Sequence, residues 1–88
     1  MIYRELGDRS NEGSCIDLLG RNALDASQYD EARSWFQDGL AIFHERNDRQ
    51  SEAWCMNNLG RNALSAEKYD EARQWFQSGL ALFGEIGD

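Results

Sequence analysis

Sliding the chain by forty residues lays Arg9–Asp48 onto Arg49–Asp88, and this internal match constrains the fold more than any other feature. The block Leu19–Leu24, LGRNAL, returns unchanged at Leu59–Leu64. So do Tyr29–Arg33 at Tyr69–Arg73, Trp35–Gln37 at Trp75–Gln77 and Gly39–Ala41 at Gly79–Ala81, with Glu12/Glu52, Cys15/Cys55, Ala26/Ala66 and Phe43/Phe83 as single matches. The first eight residues, MIYRELGD, align with AIFHERND and ALFGEIGD, the ends of the two units. The division is therefore residues 1–8 as the end of a preceding unit's second helix, 9–48 as one repeat and 49–88 as the next. A fixed period of this length marks stacked units, each unable to bury its apolar face alone.

Each unit reads as two helices. Ile16, Leu19, Gly20, Ala23 and Leu24 follow the i, i+3, i+4, i+7 spacing of one helical face, and Met56, Leu59, Gly60, Ala63 and Leu64 copy it. Tyr29, Ala32, Phe36, Leu40 and Phe43 form a second stripe, copied by Tyr69, Ala72, Phe76, Leu80 and Phe83. Asp8 and Asp48 suit the N-caps of the first helices. Asp30/Glu31 and Asp70/Glu71 place negative charge in the first turn of the second helices, where the helix dipole favours it. Polar stretches over Asp25–Gln28 and Ser65–Lys68 join the pairs. There is no proline and no alternating β-branched run, so the fold class is all-α.

Leu-Gly-x-x-Ala in the first helix and Tyr-x-x-Ala opening the second, then Phe four residues on and a small residue three later, resembles the tetratricopeptide repeat. Leu19, Gly20, Ala32, Phe36 and Gly39 occupy the signature positions, as do Leu59, Gly60, Ala72, Phe76 and Gly79. The period departs from the family's usual length of about thirty-four, and its terminal proline is missing. The longer unit resembles the repeats of Pins/LGN-type polarity adaptors, those of bacterial signalling ATPases and transcription regulators, and more distantly those of kinesin light chain. The resemblance implies antiparallel helix pairs stacked as a right-handed α-solenoid, and a role in protein–protein interaction.

The glycines, cysteines and charges limit the chemistry. Glycine inside a helix costs about 1 kcal/mol relative to alanine, and neither Gly20 nor Gly60 stands between a strand and a Lys-Ser/Thr pair as a phosphate loop requires. Both are expected to let the partner helix approach, with Ala32, Ala72, Phe36 and Phe76 completing the packing. A leucine at Gly60 would overpack the pair. His44 is the sole histidine, its counterpart is Gly84, and the two cysteines lack Cys-x-x-Cys spacing. No metal site, cofactor or nucleophilic centre follows, and the chain reads as non-catalytic. Cys15 and Cys55 read as reduced, partly buried helix residues, which places the chain in the cytoplasm. A net charge of -7, from 9 basic and 16 acidic residues, argues against nucleic acid as partner. The apolar runs Leu40–Phe43 and Leu80–Phe83 are far too short to span a membrane.

Two surfaces remain. Opposite the core stripe, the first helices carry Ser14, Asp17, Leu18, Arg21 and Asp25 in one unit and Trp54, Asn57, Asn58, Arg61 and Ser65 in the other. The resemblance implies that this face lines a concave groove for a peptide, with Asn58 at the position that holds peptide backbone and Leu18 replacing it in the first unit. Arg21 and Arg61 recur, and a guanidinium can hold a carboxylate through two parallel bonds. The groove candidates are thus Arg21, Arg61, Asn58, Asn57, Trp54 and Asp17, while Asn22 and Asn62 point to the flank. The second surface surrounds Trp75 and Leu82, which widen the apolar arc of the last helix beyond what one partner covers. Trp35 has a following unit to cover it and Trp75 has none, so Trp75 and Leu82 are expected to form an assembly interface. Two functions compete: an interaction module whose groove takes a peptide or partner protein, and a self-assembling unit whose partner is itself, as a homo-oligomer formed by head-to-tail stacking or helix swapping.

Overall fold

The computed structural model describes residues 9–87, with side chains from residue 13 onward. The expected tail of a preceding unit over residues 1–8, and the Asp8 cap, lie outside the described residues. Four helices follow one another: α1 over Arg9–Asp25, α2 over Tyr29–Glu45, α3 over Arg49–Ser65 and α4 over Tyr69–Ile86. The described residues contain no strand. The all-α helix-pair architecture is therefore present.

The turns show a regularity finer than the sequence repeat. Ser27, Asn47 and Glu67, twenty positions apart, hold φ at 61°, 60° and 64°. This left-handed conformation ends a helix by turning its last carbonyls toward the following amides. Gln28, Asp48 and Lys68 each donate an N–H five residues back, to Ala23, Phe43 and Ala63, at 2.8, 2.9 and 2.8 Å. The carbonyls of the same three residues then accept the first bond of the next helix, from Ala32, Glu52 and Ala72. One residue thus closes one helix and opens the next. The backbone repeats every twenty residues, and only the side chains repeat every forty. Asp48 adds a side-chain cap, accepting from the Ser51 N–H at 3.2 Å and its hydroxyl at 2.9 Å, as its position before α3 predicts.

Within each pair a phenylalanine lies on a glycine. A β-carbon at Gly20 would sit 2.6 Å from the Phe36 ring, and one at Gly60 would sit 2.7 Å from the Phe76 ring. A side chain at either position would meet the ring of the partner helix. Between the pairs, α2 packs on α3. Phe36 and Leu59 are wholly buried there with Ala23 and Ala32, and Leu24, Trp35, Leu40 and Trp75 pack around them. Asn62 is buried too, and its Nδ2 donates to the Tyr29 carbonyl at 2.9 Å. It clasps one repeat to the other and does not point to the flank. Arg33 of α2 and Glu71 of α4 add an ion pair at 3.4 Å.

Identical residues end in different environments because the described residues contain one repeat boundary, α2 on α3: Phe36 and Leu59 meet in it, while Leu19 of α1 and Phe76 of α4 lie on faces that no further described helix covers. Leu59 is 1% exposed and its copy Leu19 38%, so Leu19 does not enter the core as its spacing predicts. Phe36 is buried and Phe76 half-buried, and Leu40 is half-buried where Leu80 is 74% exposed. The open apolar face is therefore made by Leu64, Tyr69, Phe76 and Leu80. It is not made by Trp75 and Leu82. Trp75 turns back onto the Phe36–Leu59 cluster, and Leu82 is buried at 6% exposure on α4, whose main packing partner is α3.

Candidate functional site

The backbones of α1 and α3 approach each other while those of α2 and α4 do not. The side of the first helices is therefore the inside of the curve, and a depression of about 330 Å³ opens there between α1 and α3. Asp17, Arg21, Ser14, Ser51 and Trp54 line it, over Phe43 and Cys55.

Asp17 organises its floor. One carboxylate oxygen accepts from Asn58 Nδ2 at 2.8 Å, and the other lies 3.5 Å from Arg21 Nε, one turn along α1. Asn58 is buried, and its amide is committed to Asp17 across the repeat boundary. A buried amide needs such a partner, since leaving one unpaired costs about 1–3 kcal/mol. Trp54 is exposed, its ring edge-on to Phe83 at a centroid distance of 5.3 Å. It offers an apolar wall held by an aromatic contact.

Arg61 lies in an adjoining depression of about 310 Å³, with Arg21, Leu18, Asn22 and Asp25. The two arginines that recur at forty-residue spacing therefore share one site. Arg61 is exposed and forms no ion pair or hydrogen bond with the described residues. Asn57 falls elsewhere, in a hollow shared with Phe76, Gly79, Leu80 and Phe83 of α4. Its neighbour Asn58 faces α1 because one residue turns a helix by about 100°.

Sequence reasoning passed over two features of this region. Glu52 is buried, and one of its oxygens meets His44 Nδ1 at 2.9 Å, joining the last turn of α2 to the first of α3. Each lies near a helix end, and their separation of eight residues across the Asn47 turn was the available signal. Cys55 is buried beneath the depression, and its thiol is pushed up to about 12, first by burial and then by the charges of Asp17, Glu52 and Asp48. Such a thiol is a poor nucleophile and metal ligand. Cys15 is half-buried, and both cysteines are free.

The two depressions together present the guanidinium groups of Arg21 and Arg61, the Trp54 ring and the hydroxyls of Ser14 and Ser51. A family model described as Tetratricopeptide repeat matches residues 14–85. No curated protein and no solved structure matches the chain. The family match spans both helix pairs and does not select among the longer variants that the sequence resembles. No helix among the described residues is long and apolar enough to cross a membrane.

Proposed function

The chain belongs to the tetratricopeptide repeat family, whose members typically serve protein–protein interaction without catalysis, and from that premise we propose that it is a non-catalytic module binding a polypeptide segment across α1 and α3. The observation that carries this reading is the pairing of Arg21 and Arg61 in one depression beside Trp54, with Asp17 and Asn58 holding the two helices in register. The ligand is a segment bearing a carboxylate for the arginines and an apolar side chain for the Trp54 wall. Arg61 carries more of the recognition than Arg21, because Asp17 already engages Arg21. The cysteines play no chemical part, and two free thiols accord with a cytoplasmic setting.

A peptide-array screen with the intact chain, followed by titration of the best binders against Arg61→Ala and Trp54→Ala, tests this. A lost charge-assisted bond is worth about 1.5–3 kcal/mol, so Arg61→Ala should weaken binding roughly tenfold to a hundredfold. Its melting temperature should stay unchanged, because Arg61 holds nothing within the fold. Equal affinity of both variants and the parent chain would move recognition to another surface.

A further inference from the structure

We propose that the open face of the α3–α4 pair is the docking site for α1 of a second copy of this chain, so that chains add head to tail by the step that already joins the first pair to the second. The inference rests on the internal interface and is independent of the peptide-binding reading.

The internal interface has a receiving side and an entering side. On the receiving side Leu24, Tyr29, Ala32, Arg33, Phe36 and Leu40 make the surface to which the second pair is joined. Forty residues on, the same six residue types recur as Leu64, Tyr69, Ala72, Arg73, Phe76 and Leu80. Here they form an apolar groove of about 410 Å³ instead of a covered seam. On the entering side, Leu59 buries itself against Phe36, Asn62 donates to the Tyr29 carbonyl, Glu71 meets Arg33, and Trp75 closes the cluster. Their copies in the first pair are Leu19, Asn22, Glu31 and Trp35, again identical in type. Leu19, Asn22 and Glu31 are exposed. One chain therefore presents both halves of an interface whose fit it demonstrates internally.

Repeating the internal step places the second copy's Leu19 against Phe76, its Asn22 amide on the Tyr69 carbonyl and its Glu31 beside Arg73. Polar complementarity selects this occupant over other apolar ones. A tail-to-tail pair would bring neither Asn22 to the Tyr69 carbonyl nor Glu31 to Arg73, the partners that the internal seam supplies through Asn62 and Glu71. Because head and tail differ, the contact is heterologous and does not stop at two chains unless the rotation closes a ring.

Sedimentation and light scattering of the 88-residue chain, from micromolar to millimolar concentration, test the proposal. The mass should climb past twice that of the monomer. Leu80→Glu blocks the tail and Leu19→Glu blocks the head, and each variant alone should remain monomeric. Mixed in equal amounts, they retain one intact interface and should give a twofold mass and nothing larger. Circular dichroism checks that each stays helical, and Asn22→Lys supplies a second head block should Leu19→Glu lose helicity. A parent chain that is monomeric at every concentration overturns the proposal. So does assembly that survives in either blocked variant alone, which would mark a tail-to-tail, head-to-head or swapped arrangement.

Discussion

Asn58 of α3 donates a 2.8 Å hydrogen bond to Asp17 of α1, forty-one residues earlier, and so ties together the two helices that flank the candidate groove. The same carboxylate holds Arg21 in place. Groove shape and repeat stacking thus share one side chain. Asp17→Ala leaves the buried Asn58 amide unpaired and should lower unfolding free energy by about 1–3 kcal/mol in urea titration. Arg21→Ala removes only an exposed partner, and its cost should stay below about 1 kcal/mol. Equal losses in the two variants would mean that the Asn58 bond contributes nothing to holding α1 on α3.

Gly20 and Gly60 occupy the same place in the two repeats and should respond differently to the same substitution. An added β-carbon meets Phe36 at 2.6 Å in one and Phe76 at 2.7 Å in the other. Phe36 is wholly buried beneath Leu59, whereas Phe76 borders the open groove and has room to yield. Replacing glycine by alanine gains up to about 1 kcal/mol of helix propensity, against about 1–3 kcal/mol for overpacking. Gly20→Ala should therefore destabilise by roughly 1 kcal/mol or more, and Gly60→Ala should be near neutral. Chemical denaturation of both variants checks the ordering. A larger loss at Gly60 would contradict the assigned freedom of Phe76.

These contrasts show what the sequence could and could not disclose. Period and apolar spacing locate four helices, the Asp48 cap and the Gly–Phe contacts, because all depend on residues close in sequence or on one repeated pair. They do not separate Leu19 from Leu59, or Leu40 from Leu80, since identical residues differ only in which neighbour lies beyond them. Trp75 and Leu82 differ from expectation for another reason, since Leu82 is as buried as its counterpart Ile42 and Trp75 is half-buried like Trp35. Helical spacing gives an angle around the axis, and Trp75 at that angle packs back on the Phe36–Leu59 cluster instead of outward. The twenty-residue backbone repeat was hidden because Ser27, Asn47 and Glu67 share a conformation and no side-chain type. Asn57 and Asn58 both read as groove residues in the sequence, but adjacent helical residues face different ways, and the structure sets Asn58 against Asp17 of α1 and Asn57 in a hollow beside α4.

The turn residues offer a direct gain in stability. Glu67 holds φ at 64°, where a residue with a β-carbon is disfavoured by roughly 1–2 kcal/mol and glycine is not. Glycine is also freer in the unfolded chain, which offsets part of that relief. Glu67→Gly should raise stability by about 0.5–1 kcal/mol. Asn47→Gly should gain less, because asparagine tolerates this conformation better. Thermal melts of the two variants measure the difference, and a drop in the Glu67→Gly melting temperature would be inconsistent with a strained turn.

Cys55 makes the fold sensitive to alkali. Its thiol is pushed up to about 12 from 9.0, by burial first and then by Asp17, Glu52 and Asp48. The folded state therefore keeps a proton that the unfolded chain releases earlier as pH rises. This contribution to stability is complete below pH 9 and declines as pH climbs from 9 toward 12. The informative comparison is with Cys55→Ala, which has no proton to lose at this site. The alanine variant should start from a lower melting temperature because of the cavity it leaves. Its melting temperature should then fall less steeply with pH than that of the parent chain. Parallel slopes would mean that the Cys55 thiolate is tolerated in the fold, and that the carboxylates around it are screened by water.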